Sequence, residues 1–119
     1  MTYMRYNMGK LAKAGDKMIE LELEAEDFLT LWSHPDSEWM VVDVREMEEQ
    51  DMGRIPGAIS MPLTVLFQQY KKLPTTRPLA VVCLSGRRSA EAVQFLCEKG
   101  YRATNIAGGM LAWPGPVEA

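Results

Sequence analysis

The chain has 119 residues, 47% apolar and 24% charged, with a formal net charge of −3. That length fits one domain, and that balance is ordinary for a globular chain with a real core. The negative charge argues against nucleic-acid binding, no apolar run approaches the roughly 18 residues that span a bilayer, and two cysteines imply no disulfide framework.

Met1 to Lys17 stands apart from the rest. It holds Arg5, Lys10, Lys13 and Lys17 against Asp16 alone. Met1, Met4, Met8 and Leu11 fall at helical spacing, but Gly9 and Gly15 interrupt any helix. Residues 1–17 read as a loose extension, with a short basic amphipathic docking segment as the alternative. The segment has no apolar central block, so it does not read as a secretory signal, and a reducing cytoplasm is the expected location.

Met18 to Leu23 alternates apolar and acidic residues, the mark of an edge strand. Ala25 to Ser33 reads as a helix with Phe28, Leu29, Leu31 and Trp32 on its apolar side, ended at His34-Pro35. His34 is the only histidine, and its place beside Pro35 suggests a solvated or locally capping role. One histidine and two distant cysteines support no metal site. Trp39 to Val44 is a continuous apolar run ending in Asp43-Val44-Arg45, the pattern of a parallel strand buried on both faces. Glu46 to Met52 reads as a short acidic helical turn, and Gly53-Arg54-Ile55-Pro56-Gly57 as a loop turn. Ala58 to Met61 reads as a short strand, and Pro62 opens a helix through Tyr70 with Leu63, Leu66 and Phe67 at helical spacing.

Leu79-Ala80-Val81-Val82 is a second buried strand, and it feeds Cys83-Leu84-Ser85-Gly86-Arg87-Arg88-Ser89. A helical pattern, Ala90 to Lys99, follows and stops at Gly100. A cysteine at a strand's carboxyl end stands where open parallel sheets bind ligands. Gly86 permits a positive φ, so successive N–H groups can line an anion-binding nest. The first turn of the following helix adds unpaired N–H groups and a positive dipole end. With Arg87 and Arg88 beside it, Cys83 is expected to ionise more readily than a free thiol. The plain alternative is a small core cysteine, which would have no need of Gly, Ser and two Arg directly after it. Ala103 to Ile106 is the last strand, Ala107-Gly108-Gly109 a close-packed turn, and Met110 to Trp113 one helical turn with Trp113 in the core.

Cys83-Leu84-Ser85-Gly86-Arg87-Arg88-Ser89 resembles the active-site loop of the single-domain rhodaneses, the thiosulfate sulfurtransferases. Three further stretches agree, in order: Val41-Val42-Asp43-Val44-Arg45-Glu46, Gly53-Arg54-Ile55-Pro56-Gly57-Ala58, and Gly100-Tyr101 with Ile106 to Trp113. The resemblance covers about Met18 to Gly115. Two departures stand out: Gln50 replaces a usual aromatic residue and Arg54 a usual histidine. The resemblance implies an α/β, rhodanese-like domain over residues 18–119, with a mainly parallel central sheet and helices on both faces.

It also implies roles. Cys83 is the expected nucleophile and sulfur carrier. Leu84, Ser85, Gly86, Arg87 and Arg88 are expected to bind the donor, through backbone N–H groups and the two guanidinium charges. Asp43, Arg45 and Ser89 are expected to support the loop, Asp43 and Arg45 reading also as a structural ion pair that holds the two loops, and one arginine of the loop could instead pair with Asp43. The expected donor is thiosulfate or another sulfane-sulfur compound, and the expected acceptor is cyanide, a small thiol or a protein thiol, with no cofactor. A non-enzymatic persulfide carrier serving a protein partner is the rival reading. Cysteine phosphatases of related fold place arginine six positions after the nucleophile, where this chain has Ser89, and histidine where it has Val82.

Cys97 lies near the far end of the helix that Cys83 precedes. From Arg88 to Cys97 the rise is about 14 Å along the axis. A disulfide needs Cα atoms within about 7 Å, so a Cys83–Cys97 bridge is excluded and Cys97 is expected in the core.

Overall fold

Leu79, Ala80, Val81 and Val82 are all fully buried, so the strand that they form has packing on each side. The computed structural model describes residues 11–14 and 17–119, with side chains from Leu21 onward. In chain order the elements are β1 (Leu11–Ala14), β2 (Lys17–Glu20), β3 (Glu22–Glu24), α1 (Ala25–Trp32), β4 (Met40–Asp43), α2 (Met47–Gln50), β5 (Ile59–Ser60), α3 (Leu63–Gln69), β6 (Leu79–Val82), α4 (Arg87–Glu98), β7 (Ala103–Ala107) and α5 (Gly109–Ala112). A 3-10 turn, Tyr70–Lys72, follows α3.

Five strands form one parallel sheet in the order β3-β7-β6-β4-β5. The alternation along β6 sorts two apolar layers. Leu79, Val81 and Cys83 pack with Leu66 of α3 and Ala92, Val93 and Leu96 of α4. Ala80 and Val82 pack on the other face with Phe28 of α1, Ile106 and Trp113. Helices therefore cover both faces, and β6, at the centre of the sheet, aims Cys83 toward the α4 side.

Two boundaries differ from the sequence reading. The alternating run 18–23 is not one strand. It breaks at Leu21: Lys17–Glu20 pairs antiparallel with Leu11–Ala14, while Glu22–Glu24 joins β7 as the sheet edge. The reason is that Leu23 buries against Ile106, whereas the upstream half has its own hairpin partner. Leu11 therefore lies in a strand, not in a helical repeat with the methionines before it. Met1 to Lys10 lie outside the described residues. The second difference is that α4 begins at Arg87, three residues before Ala90, so both arginines of the loop occupy its first turn.

Two smaller expectations hold. Ser33 caps the end of α1, and His34 Nδ1 accepts the Asp36 N–H at 3.1 Å, a local cap within its own loop. Trp113 is buried and donates from Nε1 to Pro116 O at 2.9 Å. Among the described residues no helix is long and apolar enough to cross a membrane.

Candidate active site

Cys83 leaves β6 at the carboxyl edge of the sheet, 1% exposed. The chain then turns through Gly86, whose φ of +99° is left-handed and suits only glycine, and enters α4. The turn folds back on the sulfur. Gly86 N–H donates to Cys83 Sγ at 3.1 Å, and Ser89 Oγ stands 3.2 Å from the same atom. Burial pushes the Cys83 thiol up, but the Ser89 hydroxyl and the N–H groups of Ser89, Gly86 and Ser85 outweigh it. The net shift is downward from the ordinary 9.0. This is the electrostatic setting of a reactive cysteine rather than of a core thiol.

The loop is braced from behind. Met110 N–H donates to Cys83 O at 2.8 Å and Leu111 N–H to Leu84 O at 3.0 Å. Gly109 makes this approach possible: a Cβ there would overlap the Cys83 carbonyl oxygen and lie 2.6 Å from Leu84 backbone atoms. Leu84 and Leu111, joined by that hydrogen bond, are both exposed beside the mouth.

The residues expected at the site divide into groups. Cys83, Leu84, Ser85, Gly86 and Ser89 come together as one turn. Arg87 is exposed at the start of α4. Arg88 turns toward α2 and meets Glu49, Nη1 to Oε1 at 2.7 Å and Nη2 to Oε2 at 2.8 Å. The bidentate bond to Glu49 raises the Arg88 pKa, burial works against it, and the charges of Glu49, Cys83 and Glu46 add to the rise. Neither arginine pairs with Asp43. Asp43 is fully buried and takes Arg45 instead, with Nη2 to Oδ2 at 2.8 Å. Arg45 also donates to Glu49 O at 3.2 Å and to Gly53 O at 2.8 Å. The side chains of this pair therefore organise α2 and the turn after it, and connect to the first turn of α4 through Glu49 and Arg88.

Gln50 is fully buried beneath α2 and donates from Nε2 to Arg45 O at 2.9 Å. Arg54 pairs its backbone with Glu118, N–H to O at 2.8 Å in both directions, which pins the end of the chain to the turn. Cys97 is half-buried at the edge of the α3–α4 layer rather than within it, because it sits in the last turn of α4. Its Sγ lies 3.4 Å from Ala103 O, and burial pushes its thiol up despite that bond. Both cysteines are free.

Two participants escaped the sequence reading. Glu49 gave no signal beyond an acidic residue in a short helix. Asn105 gave one: an amide at the middle of a short strand between apolar ends. It is 3% exposed and accepts Ser89 Oγ on Oδ1 at 2.5 Å.

Comparison with known proteins agrees with this geometry. The family model of the rhodanese-like domain matches residues 25–115. The putative sulfurtransferase YtwF of Bacillus subtilis is 35% identical over 83 residues, covering 70% of this chain and 81% of the relative. The thiosulfate sulfurtransferase GlpE of Shewanella oneidensis is 35% identical over 74 residues, 61% of this chain and 73% of that protein. A rhodanese-related protein from Thermoplasma volcanium superposes with a TM-score of 0.76 at 32% identity, over 82% of this chain and 96% of that one. Match, fold and loop agree: the chain belongs to the rhodanese-like domain family, whose relatives here include sulfurtransferases.

Proposed function

We propose that the protein moves sulfane sulfur from thiosulfate, or another persulfide donor, to a thiophilic acceptor by way of a Cys83 persulfide. The observation that carries this reading is the ring of donors on Cys83 Sγ, which favours a thiolate at the carboxyl end of the central strand. The thiolate attacks the outer sulfur of thiosulfate. The S–S bond breaks, and sulfite leaves with the bonding electron pair. In the second step cyanide or a thiolate attacks the outer sulfur of the persulfide, and Cys83 leaves as thiolate, restoring the start. This is covalent catalysis, and it requires ping-pong kinetics. The N–H groups of Ser85, Gly86 and Ser89 stabilise negative charge on either sulfur without reorganising. Arg87, exposed at the mouth, attracts the anionic donor.

In this reading residues 18–119 are the sulfur-transfer unit and residues 1–17 an extension to it. The free Cys83 thiol suits a reducing compartment such as the cytoplasm. The test is intact mass after treatment with thiosulfate and, separately, with glutathione persulfide, and removal of excess reagent. One added sulfur, lost on adding cyanide and absent in Cys83→Ser, supports the reading; no added sulfur on folded protein refutes it.

A second reading, a persulfide carrier whose acceptor is another protein, has one observation in its favour. The exposed pair Leu84 and Leu111 gives the mouth an apolar lip that a small anion does not use. A putative sulfur carrier protein of Bacillus subtilis, YrkF, is among the relatives, at 33% identity over 43% of its length. Persulfide that forms readily but passes slowly to cyanide and glutathione would favour the carrier.

A further inference from the structure

Asn105 is the register partner of Val81 on one side and of Glu22 on the other. Side chains alternate along a strand, so Asn105 shares the face of Ala103 and Val81, which is the face that presents Cys83 to α4. Three acceptors or donors surround its amide. Nδ2 donates to Gly86 O at 3.1 Å and to Glu22 Oε2 at 3.4 Å, and Oδ1 accepts from Ser89 Oγ. This orientation is forced. A backbone carbonyl and a carboxylate are both acceptors, so only the NH₂ end can face them. The carbonyl end is left for Ser89.

The Ser89 hydroxyl carries one proton. It stands 3.2 Å from Cys83 Sγ and 2.5 Å from Asn105 Oδ1. Once Cys83 ionises, both neighbours are acceptors, and one proton cannot serve both. We propose that Asn105 is a positioning residue that sets how readily Cys83 ionises, by competing with its sulfur for the Ser89 proton. In the thiol form Ser89 donates to Asn105. When Cys83 loses its proton to water, Ser89 keeps its own and rotates it onto Sγ, leaving Asn105 Oδ1 without a donor. A buried acceptor left unpaired costs free energy, so Asn105 opposes the thiolate and restrains the loop's tendency to form it. After sulfur has been taken up, charge moves to the outer sulfur and the Ser89 proton can return to Asn105.

Other charges face the same group and form a constant background. On α4 they are Arg87 and Arg88, on α2 and its N-cap Glu49 and Glu46 behind Arg88, at the end of β4 the closed pair Asp43–Arg45, and on β3 Glu22 against Asn105 itself. The segments α3 and α5 carry no titratable side chain.

This inference deepens the sulfur-transfer reading, but its test uses no sulfur donor. The readout is the pH midpoint of Cys83 alkylation by iodoacetamide, followed on the Cys83 peptide by mass spectrometry so that Cys97 does not interfere. Asn105→Leu removes the competing acceptor and is expected to lower the midpoint by about half a unit or more. Asn105→Asp keeps the shape, strengthens the competitor and is expected to raise it. Ser89→Ala is also expected to raise it, and in that background Asn105→Leu is expected to move nothing further. An equal shift from Asn105→Leu in both backgrounds, or a raised midpoint, overturns the proposal. If Asn105→Leu does not fold, Asn105→Asp decides. A rise that is the same with Ser89 intact and in the Ser89→Ala background shows only the added charge and overturns the proposal; a larger rise with Ser89 intact upholds it. A protein that shows these shifts but takes no sulfur from thiosulfate or from glutathione persulfide would refute the proposed function and leave this inference standing.

Discussion

Arg88 and Glu49 meet fork to fork, with both guanidinium–carboxylate contacts under 2.9 Å. The pair ties the first turn of α4 to α2, and so ties the cysteine loop to the Asp43–Arg45 anchor. Its two side chains remain 35% and 31% exposed. At that exposure an ion pair contributes at most about 1 kcal/mol, so its value is directional rather than energetic. It holds one cation near Cys83 with its charge already shared, and leaves Arg87 exposed at the start of α4.

The two arginines are therefore expected to separate kinetically. Arg87→Ala raises the KM for thiosulfate about two- to fivefold, with kcat little changed, because it removes an exposed attraction. Arg88→Ala lowers kcat and raises the pH midpoint of Cys83 alkylation, because it removes a charge fixed near the sulfur. Steady-state kinetics at low and high salt check this. Equal KM effects from both substitutions would mean that Glu49 does not neutralise Arg88.

Glu49 also gives a pH signature. The hydrogen bond from Arg88 pulls its carboxyl down, burial opposes this, and the Glu46 N–H and the charges of Arg88 and Arg45 assist, so it sits at about 2 against the usual 4.5. A depressed carboxylate stabilises the fold above its unfolded pKa, and that contribution fades as pH falls through the folded value. The window is therefore pH 4.5 down to about 2. Glu49→Gln lacks this component, so the stability gap between wild type and variant closes across that window. Urea unfolding at half-unit pH steps measures it; two parallel curves would refute the assignment.

Much of this was legible in the chain because the signals were local. Four buried residues before Cys83 announce a central strand, and Gly86 announces the left-handed turn. What the sequence concealed was pairing between distant elements. Nothing in Arg87-Arg88 says which of them finds a partner, because that depends on α2 lying across the mouth from α4. The Asp43–Arg45 ion pair was itself legible; what was not is that Arg45 turns on to the carbonyls of Glu49 and Gly53 rather than to the cysteine loop. The break at Leu21 was invisible for a similar reason: alternation is the same in a hairpin and at a sheet edge, and only the partner strand differs.

The two cysteines are expected to titrate apart. Cys83 is the more buried, yet donors bring its pKa down, while Cys97 is half-buried and goes up. Thiolate is the nucleophile, so the Cys83 peptide alkylates with the lower pH midpoint even where access slows its absolute rate. Under the proposed function, Cys83→Ser is expected to abolish thiosulfate:cyanide transfer and Cys97→Ala to keep it. A lower midpoint for Cys97, or transfer lost in a well-folded Cys97→Ala, would end the single-cysteine mechanism.

Gly109 offers a test of the brace behind the loop. Its φ is +58°, and an added Cβ would collide with Cys83 O and Leu84 O, the acceptors that Met110 and Leu111 hold. Gly109→Ala must therefore either strain α5 or push the Cys83–Leu84 segment forward. Gly57 makes the control: its φ is +76°, but nothing lies within 4 Å of a Cβ there. Gly57→Ala suffers only the left-handed backbone penalty, about 1 kcal/mol. Gly109→Ala adds the overlap and is expected to lose more than about 2 kcal/mol. The ring on Cys83 Sγ is set by the path of residues 83–86, so displacement also lengthens the Gly86 N–H contact and weakens thiolate stabilisation. The alkylation midpoint then rises in Gly109→Ala and stays put in Gly57→Ala. Thermal unfolding and the midpoint are measured on the same samples. Equal destabilisation of the two variants, with Cys83 unmoved in both, would show that the close approach of α5 plays no part in holding the loop.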